Sequence, residues 1–232
     1  TATETTSTRH NLEKKRHPRE LAEELGVFMP KTQFKEEMEI LRKIFRKVKP
    51  KLFVLNGDVK HEFSETSYHE YREVSELFRY LEKKVEKIIV VKGNHDNFII
   101  RVTRKFPKIE LVEMYEIKNF IFLHGHKLEK PLKLFSGKFL VLAHEHPAIA
   151  LRDEIGKEKV KCFLYGELKG IKIIVLPAFS TLMRGSELNY LPREEFLSPI
   201  LRSLNVGELN VLLVDKELGV KRLGKLRYLR EI

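Results

Sequence analysis

The sequence predicts a layered α/β domain with two packed sheets. Two patterns carry that expectation. Up to about residue 106, apolar stripes at helical spacing alternate with short apolar runs, whereas the second half is dominated by short strands. A third observation locates the chemistry: apolar runs end four times in polar residues able to ligate or transfer protons. At 232 residues the chain suffices for one sizeable α/β domain.

Residues 1–17 are Thr-rich and then basic, with no alternating apolar face, so they form a polar N-terminal arm; residues 18–232 form the domain. Pro18 to Leu25 reads as a short helix stopped by Gly26. Thr32 caps the next helix, whose Phe34, Met38, Leu41, Ile44, Phe45 and Val48 share one face before Pro50. Leu52–Leu55 is a buried strand that stops at Asn56-Gly57-Asp58. A long helix is expected from Ser64 to Lys87, with Tyr71, Val74, Leu77, Phe78, Leu81 and Val85 in its stripe. Lys87 to Val91 is a fully buried strand leading to Gly93-Asn94-His95-Asp96, and Asn97 to Phe106 is another helix. Strands follow at Glu110–Met114, Phe120–Leu123, Phe139–Leu142, Lys159–Tyr165, Ile171–Leu176 and Val211–Val214. A loop-rich stretch fills Pro177 to Pro199, and the chain ends in a basic tail.

The single cysteine, Cys162, excludes an internal disulfide and a cysteine-based zinc cluster, and its apolar neighbours make it a core residue. Its lone presence fits a reducing cytosol, and no apolar run is long enough to span a bilayer, so a cytoplasmic protein without membrane contact is expected. The net charge of +11 favours polyanionic partners, although Lys/Glu-rich surfaces also accompany thermophily.

The four strand-terminal motifs are Gly57-Asp58, Gly93-Asn94-His95-Asp96, His124-Gly125-His126 and His144-Glu145-His146; the last three hold five of the nine histidines, far more than random placement gives. Carboxylate, amide and imidazole at one sheet edge suit a two-metal site, in which paired cations clamp attacking and leaving oxygens. Asp58 is the candidate bridge, with Asn94, His124, His144 and His146 completing the shells. Mixed oxygen and nitrogen donors suit manganese, iron, cobalt, nickel or zinc. His95, next to a ligand, is free to protonate the leaving oxygen. His126 is either a substrate contact or a structural histidine, and His61 either faces the site or enters a helix. Lys60, Arg184 and Asn189 are candidate phosphate contacts.

These motifs resemble the calcineurin-like metallophosphoesterase family. Leu55-Asn56-Gly57-Asp58-Val59-Lys60-His61-Glu62-Phe63 and His144-Glu145-His146-Pro147-Ala148-Ile149 further resemble archaeal phosphoesterases related to the nuclease SbcD and the bacterial ligase-associated endonuclease PdeM. The resemblance runs from about Gly26 to Leu204. It implies a four-layer αββα sandwich with a dimetal site at its edge, two divalent ions (Mn2+ foremost) and hydrolysis of phosphodiesters, DNA or RNA among them, by a dimetal-activated hydroxide. Carried onto this chain, it makes Asp58 the bridging ligand, Asn94, His124 and His144 the holders of one metal, and His146 a ligand of the other. His95 becomes the general acid and Asp96 the residue that orients it.

The family opens with a strand ending in Asp-x-His. Here Thr8-Arg9-His10 is the candidate, with Thr in place of Asp and no apolar run before it. His10 is therefore a candidate ligand without its usual carboxylate partner, and one metal site is expected to be weakened or empty. The rival expectation is a degenerate family member that binds metal or nucleic acid without turnover. The usual Gly before the closing His is Ala143, which the fold tolerates.

Overall fold

The computed structural model describes residues 32–59, 68–152, 156–215 and 219–230. The N-terminal arm, the helix expected at Pro18–Leu25, His10, Lys60 and His61 lie outside the described residues.

Helix α1 (Thr32–Lys47) forms as its spacing predicts: Met38, Leu41 and Phe45 are buried, while Ile44 and Val48 on the margin of the stripe stay exposed. Arg46 and Lys47 complement the negative end of its dipole. Strand β1 (Leu52–Asn56) pairs in parallel with β2 (Lys87–Val91), which pairs in parallel with β3 (Ile109–Val112). All four apolar residues of β2 from Ile88 to Val91 are fully buried. Ile88 and Val90 join the helices in one cluster, and the alternation of a strand turns Ile89 and Val91 to the other face. β1 departs from the expected burial: Leu52 to Leu55 are only half-buried, because β1 is an edge strand paired with β2 alone among the described residues.

Helix α2 (Tyr68–Glu82) is shorter than expected at its C-terminal end. Lys87 must already sit in register with Leu52, so the chain turns at Lys83 and Lys84 instead of continuing the helix. The expected helix at Asn97–Phe106 condenses to turns around α3 (Ile100–Thr103). The single strand expected at Glu110–Met114 is two: after β3, only Glu113 intervenes before β4 (Met114–Ile117), and there the chain crosses to the second sheet.

In that sheet β4 pairs antiparallel with β5 (Phe120–Leu123), which runs parallel to β6 (Phe139–Leu142) and, through it, to β9 (Ile171–Val175). The long β8 (Lys157–Leu168) joins β9 at one end and β7 (Pro147–Arg152) at the other, with β10 (Ser186–Glu187) beside β7. β8 also pairs with β11 (Asn210–Asp215), which pairs with β12 (Gly219–Lys225), so part of the expected basic tail is a strand. Cys162 lies fully buried in this sheet's core, together with α4 (Pro199–Arg202), and burial pushes its thiol pKa up to about 12. Helices outside both sheets give the αββα sandwich. No described helix is long and apolar enough to cross a membrane.

Candidate metal centre

The parallel strands β1, β2, β5 and β6 end at Asn56, Val91, Leu123 and Leu142, and the four polar motifs follow within two residues of those ends. Asp58 sits in a left-handed turn (φ 51°) after Gly57 (φ 88°). Gly57 is required here: a Cβ would lie 2.1 Å from His124 Nδ1. Gly93 is required for space, because a Cβ there would lie 2.0 Å from the Asp58 carboxylate and 2.4 Å from its backbone nitrogen. The two loops are thus pressed together. Asp96 fastens them: its Oδ2 accepts from the backbone N–H of Asp58 (2.8 Å) and of Gly93 (2.9 Å). Asp96 therefore organises the Asp58 turn, a role beyond the orienting of His95 that the resemblance implied. His95 donates its backbone N–H to Asp58 Oδ1 (3.0 Å) and leaves Oδ2 to the cluster.

His124 is the centre of that cluster. Its Nδ1 lies 3.0 Å from the Asn56 carbonyl oxygen, which can only accept, so Nδ1 carries the proton. The Nε2 lone pair then faces three further donors of electron pairs: Asp58 Oδ2 at 3.1 Å, Asn94 Oδ1 at 3.2 Å and His144 Nδ1 at 3.2 Å. Four lone-pair-bearing atoms from four loops pointing at one another need a cation between them. Their spacing agrees with that need, since ligands about 2.1 Å from an octahedral cation stand roughly 3 Å apart. Asp58, His124 and His144 offer ligand atoms all within 4.8 Å of one another, the one such cluster of His, Cys, Asp or Glu among the described residues.

Electrostatics tell the same story in the metal-free state. Burial works to raise the Asp58 pKa, but the hydrogen bond and charge of His124 and the His95 N–H outweigh it and bring it to about 2. Burial works to lower the His124 pKa, but the hydrogen bond and charge of Asp58 outweigh it and the value is raised. His144 falls to about 3 and His146 to about 4, chiefly by burial and in both cases with the positive charge of His124 adding to it. Both imidazoles are neutral at pH 7, the form that ligates.

His146 stands in a left-handed conformation (φ 51°), with its backbone held by Ala143 and Ser186. The charges of Asp58, His95 and Lys161 all act on its imidazole, so it lies beside the cluster, though outside the 4.8 Å group. The His126 ring lies 5.4 Å from that of His124 and 6.0 Å from that of His144, and its buried Nδ1 has no hydrogen-bond partner. Asn189 is removed from the site. Its side chain bonds both backbone groups of Ala150 and the Leu229 carbonyl, so it is a structural tie. Arg184 is exposed.

Three supporting residues were not singled out from sequence. Asn56 Nδ2 donates to the carbonyls of Leu123 (3.3 Å) and Val141 (3.1 Å), joining the first sheet to the ends of β5 and β6. Glu145, between His144 and His146, is fully buried and accepts from Ser198 N (2.9 Å), whose hydroxyl donates to the Gly125 carbonyl (2.8 Å). Ser198 so braces the His124 and His144 loops while it caps α4. The available signal was position alone: a polar residue at the end of an apolar strand for Asn56, and the middle of a His-x-His for Glu145.

Comparison with curated protein sequences gave no match. Among solved structures, the crystal structure of Pseudomonas putida nuclease MPE superposes with a TM-score of 0.56 at 18% identity, covering 82% of this chain and 78% of that one, which establishes a shared fold. A family model described as calcineurin-like phosphoesterase matches residues 25–176, well over half of the sequence. The chain belongs to the calcineurin-like phosphoesterase family and is a metallophosphoesterase.

Proposed function

We propose that this metallophosphoesterase hydrolyses phosphodiester bonds of nucleic acid with two divalent cations, Mn2+ foremost. The observation that carries the reading is the meeting of Asp58, Asn94 and His144 at the Nε2 of His124. These four residues would hold one cation, and Asp58 and His146 would contribute to the other. Bound cations supply charge to stabilise the phosphoryl oxygens and to acidify water. His95, whose backbone N–H binds the Asp58 carboxylate, would give a proton to the leaving oxygen. Asp96 keeps the Asp58 and Gly93 turns in contact, so the carboxylate stays aimed at the cluster. A net charge of +11 favours a polyanionic substrate, and the similar fold of a protein titled a nuclease points the same way.

The test is metal content per chain after reconstitution with Mn2+, paired with hydrolysis of bis-p-nitrophenyl phosphate. The parent should bind more than one Mn2+ and turn over. Asp58→Ala should lose metal and at least ~10³-fold in kcat/KM, as expected when several kcal/mol of metal-derived stabilisation go. A second reading is favoured by one observation: among the described residues the cluster contains a single carboxylate, Asp58. In that reading the chain binds metal or nucleic acid without turnover. One Mn2+ or none, with no hydrolysis, would establish it.

A further inference from the structure

The loop from Leu176 to Gly185 leaves the sheet beside the metal centre and returns to it. β9 runs parallel to β6 with Val175 opposite Leu142, and Leu176 N–H donates to the Leu142 carbonyl (2.7 Å). At the other end Ser186 N–H donates to the His146 carbonyl (2.9 Å). Gly185 packs so closely there that a Cβ would lie 2.3 Å from the His146 carbonyl oxygen. Both feet of the loop therefore stand on the segment that carries His144 and His146.

Its middle is clamped as well. Lys161 Nζ donates to the Ala178 carbonyl (3.0 Å) and to that of Ser180. Gln33 Nε2 donates to Ser180 Oγ (2.7 Å), and Thr181 N–H donates to Glu37 Oε1 (3.2 Å). Between the two carbonyls held by Lys161 stands Phe179, 53% exposed and the one exposed phenylalanine among the described residues. Exposing such a ring forgoes the free energy of its burial, and the backbone on both sides of it is held in place. Arg184, exposed in the same loop, and Lys161, bonded to that loop, add positive charge.

The geometry points to Phe179 as a stacking platform for a nucleobase next to the hydrolysed phosphodiester. The inference rests on the nucleic-acid reading above and makes it specific: the substrate presents an unpaired base whose face meets the ring, while Arg184 and Lys161 attract the flanking phosphates. An aromatic face accepts any base, so this subsite confers a requirement for a base without a preference for sequence.

The experiment uses the full chain and two fluorescent single-stranded oligonucleotides of equal length, one bearing bases and one with abasic tetrahydrofuran sugars. Kd is measured on metal-free protein and KM and kcat on the Mn2+-loaded enzyme. Phe179→Ala should raise Kd and KM for the base-bearing strand about 10-fold, as loss of one stacked base does, and leave kcat and the abasic strand unchanged. Phe179→Trp should retain parental values. Equal Kd and KM of the parent for the two strands, or an equal loss on both in Phe179→Ala, would overturn the base subsite alone. A parent that hydrolyses bis-p-nitrophenyl phosphate but neither binds nor cleaves either strand would overturn the nucleic-acid reading, and the subsite with it.

Discussion

The two sides of the metal centre are built to different standards. On the His124 side, donors from three other loops meet at its Nε2, and all four loops are tied from behind: those of Asp58 and Asn94 by Asp96, that of His124 by Asn56, and that of His144 by Glu145 and Ser198. On the His146 side, the described residues offer His146 and the shared Asp58 carboxylate, and the Lys161 ammonium acts on that imidazole. A cation gains from converging, preorganised lone pairs and loses from a neighbouring positive charge. The difference teaches that affinity for the two cations should be unequal, tight at His124 and weak at His146.

The largest effect should be the acid sensitivity that both sides share in the metal-free protein. His144 titrates in the fold at about 3 and His146 at about 4, against 6.5 when unfolded. Below pH 6.5 the unfolded chain takes up protons that the fold refuses, so these two residues cost stability progressively as the pH falls to about 4. His124 works the other way: its raised folded value makes its contribution complete below 6.5 and lost as the pH rises through that folded value. Asp58, lowered to about 2, keeps its contribution until the pH falls below about 4. In that window the His124 contribution is already complete and offsets nothing, so the net loss between pH 6.5 and 4 should be on the order of a few kcal/mol. Urea midpoints of chelator-treated protein across that range measure it. The double variant His144→Gln/His146→Gln should flatten the slope, and an unchanged slope would refute the assignment.

A smaller effect separates chemistry from binding. His95 donates its backbone N–H to Asp58, a bond that survives a change of side chain, so His95→Ala should leave Mn2+ content at the parental level. Turnover should fall roughly 100-fold, the usual cost of losing a general acid. Loss of metal in parallel with turnover would instead make His95 part of the weak side of the centre.

How much of this was legible in the sequence follows from how far each feature reaches along the chain. Phe120–Leu123 and Phe139–Leu142 are apolar runs bounded by polar residues, and both became strands with those bounds. β12 escaped notice because among the described residues it pairs with β11 alone, so most of its side chains are exposed and polar and carry no apolar alternation. β7 was hidden by starting at Pro147, directly behind His146, where the chemistry of the motif masked the start of a strand. β1 was legible as a strand but its burial was not, since being an edge is a property of the neighbours. The clustered residues Asp58, Asn94, His124 and His144 were legible because their types and their place after apolar runs are local facts. The braces were not: Ser198 meets Glu145 and Gly125 across 53 and 73 residues, and no spacing rule marks such a pair.

The finest test of the unequal centre is Asn56, which touches no donor side chain except by offering its backbone carbonyl to His124 Nδ1. Its side-chain amide instead holds the last carbonyls of the second sheet, at Leu123 and Val141, one residue before His124 and three before His144. Removing that amide leaves all the ligands in place but frees the strand ends that aim two of them. Asn56→Ala should therefore weaken Mn2+ binding about 10- to 100-fold, the range seen when a group that orients a ligand is lost. The loss should fall on the tighter of two binding steps in a calorimetric titration, bringing the two affinities together. Asn56→Asp keeps an oxygen but loses the donor, and should behave like the alanine variant if the two carbonyls are what matter. Should both steps weaken equally, the amide serves the sheet sandwich as a whole, and the unequal centre would have to be explained by Lys161 beside His146 alone.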